Sequence, residues 1–102
     1  MSLPKLGKVL EFEWDKSNIA HIAKHDVVPK EAEEVFFDKD NVQDKDLEHS
    51  TIEKRFLVVG KTKKGRLLYQ IFTIRGEKTR VISSRSVNKK EVKLYEKETG
   101  GS

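Results

Sequence analysis

At 102 residues the chain has the size of one domain with a single modest core, too short for two. It is 35% hydrophobic and 37% charged, with no apolar run of about 18 residues and no basic-then-apolar leader, so neither a membrane span nor a secretory signal is expected. The absence of cysteine excludes disulfides and thiolate metal sites and fits a reducing cytoplasm, while a net charge of +4 favours acidic partners such as nucleic acid or an acidic protein segment.

Residues 1–8, with Pro4 and Gly7, are expected to form a flexible leader to a single domain over 9–98, followed by a frayed tail over 99–102. In Val9–Trp14, Val9, Glu11 and Glu13 alternate with Leu10, Phe12 and Trp14, the period of a half-buried strand. Asp15 is placed to cap a helix whose Ile19, Ala20, Ile22 and Ala23 share one side, with His21, Lys24 and His25 on another. Pro29 ends that helix and opens a second, where Ala32, Val35 and Phe36 make the i, i+3, i+4 stripe of a core-facing surface. Asp38–Lys54 is polar and aperiodic and reads as a long loop.

Three strands follow, Arg55–Thr62, Arg66–Ile74 and Thr79–Ser86. Lys63-Lys64-Gly65 and Arg75-Gly76-Glu77-Lys78 join them, turns so short that the strands must be antiparallel neighbours. A closing helix from Lys89 to about Lys97 is signalled by Asn88 as N-cap, Glu91 three residues on, and Val87 with Val92 in the staple positions. The expected architecture is α+β: an antiparallel sheet of three main strands plus an N-terminal strand, two helices before the hairpins and one after.

Charge is split along the chain. Residues 31–53 hold nine acids, whereas 54–90 hold one, Glu77, among a dozen Lys and Arg. The basic and hydroxyl residues of the strand region, among them Arg55, Lys61, Arg66, Thr73, Arg75, Arg80, Ser83 and Arg85, suggest a surface for a polyanion, and RNA is the expected one. Exposed strands also carry Lys and Arg merely to stay soluble, and that alternative stands beside it. His21 and His25 share a helix face with Lys24 beside them. Histidine exchanges protons near neutral pH, which makes His25 a general acid–base candidate; a structural histidine closing the helix is the alternative, and no third ligand at a recognisable spacing supports zinc. Trp14 and Phe12 could stack on a base, but an alternating strand at a helix start suits core packing better.

Several strings resemble the BrnT family, the toxin half of a bacterial type II toxin–antitoxin pair with a RelE- and ParE-like fold. They are Phe12-Glu13-Trp14-Asp15, Asn18-Ile19-x-His21-Ile22-Ala23-Lys24-His25-x-Val27, Pro29-x-Glu31-x-x-Glu34-Val35-Phe36, Arg55-Phe56, Gly60-Lys61-Thr62, Gly65-Arg66-x-Leu68, Phe72-Thr73 and Arg80-Val81-Ile82-Ser83-x-Arg85, with Glu91 and Tyr95 in the closing helix. Their order over residues 10–97 is more specific than any one of them. Asp26 departs from the pattern, standing where glycine is common.

The resemblance implies a RelE-like ribonuclease that cleaves mRNA without metal or cofactor, blocks translation in the cytoplasm, and is silenced in a hetero-oligomeric complex by a BrnA-type antitoxin. It also selects Arg66, Arg80 and Arg85 as the catalytic arginines, the last two as alternatives, while the residue types themselves make His25 the assisting group and Lys24, Arg55, Lys61, Thr73 and Ser83 the RNA contacts, Thr73 and Ser83 unless they only satisfy a sheet face. Guanidinium groups suit this chemistry because they stay charged and grip two phosphate oxygens at once. Arg80 and Arg85, five apart on one strand, should face opposite ways unless a bulge intervenes. The rivals are a non-catalytic binding module of the same fold and a ParE-like gyrase inhibitor.

Overall fold

The computed structural model describes residues 10–46 and 53–98. The expected leader and tail lie outside the described residues, as does the middle of the expected loop, 47–52. Eight elements follow in order: β1 (Glu11–Phe12), α1 (Lys16–Ala23), α2 (Pro29–Phe36), β2 (Val42–Lys45), β3 (Phe56–Lys61), β4 (Leu67–Arg75), β5 (Lys78–Ser86) and α3 (Lys89–Glu98). The strands form one sheet in the order β1-β5-β4-β3-β2. The fold is α+β, with a five-stranded mixed sheet and three helices.

Two features differ from the sequence expectation. The N-terminal strand pairs parallel to β5, Glu11 with Lys78 and Phe12 with Thr79, so the sheet is mixed rather than antiparallel. Part of the expected loop is a fifth strand, β2, antiparallel to β3. Val42, Gln43, Asp44 and Lys45 carry no apolar alternation because β2 is an edge strand, and charge suits an edge.

Local chemistry sets the helices. Asp15 Oδ1 accepts the amides of Ser17 at 2.9 Å and Asn18 at 3.2 Å, while Asn18 Oδ1 accepts the Asp15 amide at 2.8 Å, a reciprocal cap. The buried Asn18 side chain also donates to the Val81 carbonyl at 3.0 Å, which fastens α1 to β5. Asp26 ends the α1 turn at φ 60°, the left-handed conformation glycine adopts most readily and aspartate tolerates.

The main core lies between the sheet and the α1–α2 layer: Ile22, Val27, Ala32, Val35, Phe36, Phe56, Val58, Leu68, Phe72 and Val81. Phe36 meets Phe72 edge-on at 4.9 Å, and Phe56 lies 5.5 Å from Phe72, arrangements the ring quadrupole favours. Phe12 and Trp14 pack against this core, and the Trp14 indole donates to Glu33 at 2.8 Å. Buried Gln70 donates to the Ala32 carbonyl at 3.1 Å and accepts from Ser84 at 2.8 Å, so both ends of its amide are paired.

One irregularity in β5 decides which side chains share a face. Ile71 pairs with Ser83, but the next β4 residue, Phe72, pairs with Val81, leaving Ile82 as a bulge. Val81 and Ser84, three apart, therefore both face the helices. Arg80, Ser83 and Arg85 share the opposite face, the one α3 crosses. The expected opposition of Arg80 and Arg85 is removed by the bulge.

Gly60 marks the closest approach of α2 to β3. An added Cβ would stand 3.0 Å from the Val35 carbonyl oxygen and 3.0 Å from its Cγ1. Gly60→Ala should therefore lose about 1–3 kcal/mol of stability, the range for overpacking a filled site. Urea denaturation of the two proteins would measure it, and an unchanged midpoint would contradict the contact.

Candidate functional site

At the end of the sheet where β4 begins and β5 finishes, two arginines converge on one residue. Arg66 donates to Ser86 Oγ at 3.4 Å and Arg85 to the Ser86 carbonyl at 3.2 Å. Arg66 also donates to the carbonyls of Asp26 at 2.6 Å and His25 at 3.0 Å and lies 3.4 Å from Glu31. It thereby ties the end of α1, and with it His25, to the sheet. Glu31 also accepts the Val28 amide at 3.2 Å, so one carboxylate caps α2 and holds Arg66.

Arg85 sits in a tighter arrangement. Its two terminal nitrogens meet the two Glu91 oxygens at 2.8 and 2.9 Å, the parallel geometry of a fork on a carboxylate. The guanidinium also lies over the Tyr69 ring, 4.5 Å from its centre. Glu91 is in addition the capping partner of Asn88, accepting its amide at 2.9 Å. Burial pushes the Glu91 carboxyl up, but the Arg85 guanidinium and the Asn88 amide outweigh it and hold the group below the ordinary carboxylate value.

Arg80 is elsewhere. It lies five strand residues from Arg85, on the order of 15 Å away along β5. It is 9% exposed and bonds Asp15 at 2.9 Å and Glu13 at 3.2 Å. Glu13 also pairs with Arg75, which pairs with Glu53. Arg80 is therefore part of the fold, gripping the residue that caps α1, and does not join Arg66 and Arg85.

The other expected site residues divide. Lys24 and His25 are exposed, as is Lys61, whose ammonium lies 5.7 Å from the centre of the Tyr95 ring. Ser83 is half-buried on the face that carries Arg85, and Arg55 is half-buried just before β3. Thr73 is 1% exposed and its hydroxyl donates to the Lys54 carbonyl at 2.7 Å, so it has no hydroxyl to offer a ligand. A groove of about 540 Å³ leads along α2 to Arg66, with Lys30, Lys63 and Lys64 on its rim beside Asp26, Glu31 and Glu34.

The carboxylates that organise these cations were not singled out in the sequence. Glu31, Glu91 and Asp15 appear there as capping or motif residues, and each also grips an arginine. Tyr95 is a further case: its hydroxyl donates to Asp38 at 2.8 Å, and burial together with that carboxylate raises its pKa well beyond the ordinary phenol range.

The α+β domain thus brings Arg66, Arg85 and the turn that bears His25 to one end of its sheet. A family model described as the ribonuclease toxin BrnT of type II toxin–antitoxin systems matches residues 14–91. More than half of the chain is covered, and the chain belongs to the BrnT family, whose type II character implies a protein antitoxin as partner. No individually curated protein matches it. Among the described residues, no helix is long and apolar enough to cross a membrane.

The Asp15–Arg80 pair makes a pH-dependent contribution. Its hydrogen bond to Arg80, with the Asn18 amide, holds the Asp15 carboxyl below its usual value. A depressed carboxylate stabilises the fold above its unfolded-state pKa and loses that effect as pH falls through the folded value. Asp15→Asn should lower the melting temperature at neutral pH, and the gap from the unaltered protein should close as pH drops below the normal carboxylate range. A gap that stays constant down to strong acid would contradict the ion pair.

Proposed function

We propose that the protein is a metal-independent endoribonuclease with a RelE-like arrangement, acting on mRNA in the cytoplasm to block translation and neutralised in a complex with a BrnA-type antitoxin. The observation that carries this reading is the convergence of Arg66 and Arg85 on Ser86, beside the helix end that bears His25. Two guanidinium groups bonded to the one residue Ser86 offer positive charge of the kind that a phosphorane needs. Histidine as a residue type can supply or remove a proton at neutral pH.

The reaction assigned to this site is transesterification. The ribose 2′-oxygen loses its proton and attacks phosphorus, the bond to the 5′-oxygen breaks, and that oxygen leaves protonated, giving a 2′,3′-cyclic phosphate and a 5′-hydroxyl. Arg85 grips the non-bridging oxygens and Arg66 supports the same phosphate from the α2 side. His25 exchanges the proton. Lys24, Lys61, Arg55 and Ser83 contact flanking nucleotides, and the lysines rimming the α2 groove guide the backbone inward. Arg80 is a positioning residue: by gripping Asp15 it fixes α1, which carries His25 at its far end. A non-catalytic RNA-binding module is the second reading, favoured by the fact that both converging arginines are already bound to carboxylates.

Cleavage of a single-stranded RNA by purified protein tests the assignment. Removal of a general acid–base predicts a rate loss of about 10²–10⁴-fold for His25→Ala, and Arg85→Ala should lose both rate and binding. If phosphate contacts drive binding, affinity should fall steeply with salt, and the slope should be shallower by about one for Arg85→Ala. Undiminished cleavage by His25→Ala would remove that residue from the mechanism. RNA bound by the unaltered protein but never cut would establish the binding-module reading.

A further inference from the structure

The state of Arg85 raises a question that the proposed reaction does not answer: its phosphate-binding fork is already occupied. Glu91 offers two oxygens at 2.8 and 2.9 Å, the same two-pronged acceptor that a phosphate presents to a guanidinium. We propose that α3 is an autoinhibitory strap, its Glu91 carboxylate standing in for an RNA phosphate on Arg85, and that RNA engages the site by displacing it. The inference rests on the reading that Arg85 binds phosphate.

The hold of α3 on the domain suits such a strap. A helix of ten residues is marginal on its own in water, so contacts to the sheet must keep it in place. Among its described side chains Tyr95 alone is buried, Val92 is half-buried, and Leu94 remains 38% exposed. Among its polar attachments are Glu91 to Arg85 at its first turn and the Tyr95 hydroxyl to Asp38 further on. Neither is an extensive apolar seam.

Accessibility favours exchange at this arginine over Arg66, whose side chain is 30% exposed, and over Arg80. The Arg85 side chain is 40% exposed, whereas that of Arg80 is 11% exposed, so an incoming anion can reach Arg85 while the pair is still closed. A phosphate taking the fork would place its charge against the Glu91 carboxylate. That repulsion drives the first turn of α3 away, which makes RNA binding and helix release one coupled event. The face then available carries Lys61, Tyr69, Ser83 and Arg85, a mixture of cation, ring and hydroxyl suited to a single strand. Before release, the apparent affinity is reduced by the fraction of molecules with the strap off.

Glu91→Gln separates the charge from the cap, because glutamine at this helix position can still accept the Asn88 amide. Binding of a 2′-O-methyl RNA, which cannot be cut, would be followed by fluorescence anisotropy, with circular dichroism to confirm that α3 persists. Glu91→Gln should tighten binding at least about fivefold, the lower end of a typical coupling between sites. Glu77→Gln, the loss of a distant surface charge in the β4–β5 turn, should not reproduce the effect. In an Arg85→Ala background the Glu91→Gln gain should vanish. Tyr95→Phe, which frees the second attachment, should tighten binding in the same direction.

Tighter binding through Arg85 supports the strap even if the protein cuts nothing, and in that case only the ribonuclease reading falls. If Arg85→Ala weakens binding while Glu91→Gln matches the unaltered protein, the strap is overturned and the ribonuclease reading stands. A Glu91→Gln gain that persists without Arg85 also overturns it, as does the absence of RNA binding by every variant.

Discussion

The structure depends on guanidinium groups gripped by carboxylates from other elements of the fold. Arg80 takes Asp15 and Glu13, Arg66 takes Glu31, Arg75 takes Glu13 and Glu53, and Arg85 takes Glu91. Three of these pairs join elements that no hydrogen-bonded ladder connects: Arg80–Asp15 fastens α1 to β5, Arg66–Glu31 fastens α2 to the start of β4, and Arg85–Glu91 fastens α3 to the end of β5. Because the same carboxylates also cap helices, one residue sets both where a helix begins and where it docks. Asp15 and Glu91 do this at opposite ends of the chain.

The second determinant is the bulge at Ile82. A strand of regular period would send Arg80 and Arg85 to opposite faces and would put Ser84 on the side away from Gln70. With one residue inserted, Ser84 reaches Gln70 in the core and Arg85 reaches Tyr69 and Glu91 on the other face. A one-residue slip reverses every side chain beyond it, so the buried Gln70–Ser84 bond on one side and the Arg85–Glu91 pair on the other specify the register together.

Much of this was legible in the sequence, and the boundary of legibility is physical. The three long strands, the Asp15 cap, the Pro29 start and the α3 capping pair were readable because each rests on local chemistry or on a period of two or 3.6. β2 was not, since an edge strand with charged side chains resembles a loop. Nor was the parallel pairing of β1, which a two-residue strand cannot announce. The charge split was visible, but its meaning was not. The acids at 31–53 stand apart from the basic run in sequence, yet Glu31 and Glu53 fold back onto Arg66 and Arg75. The sheet is therefore less cationic than the run of residues 54–90 implies. Segregation along a chain says nothing of segregation in space once the chain doubles back.

The pairs differ in what they can give up. Taking two charges from water costs more than their attraction returns unless the geometry is good and the remaining donors are satisfied. Arg80 meets that condition with two carboxylates, and losing Asp15 would leave this buried guanidinium to Glu13 alone and α1 uncapped. Arg66 meets it through its terminal nitrogens, which bond carbonyls of the α1–α2 turn as well as Glu31. Arg85 is the pair whose arginine keeps a large exposed face and whose partner rides on a lightly anchored terminal helix. A phosphate can replace Glu91 there without leaving a buried cation unpaired, because one anion substitutes for another. The same interaction that builds the fold at Arg80 is therefore exchangeable at Arg85, and the difference lies in burial and in what each carboxylate is attached to.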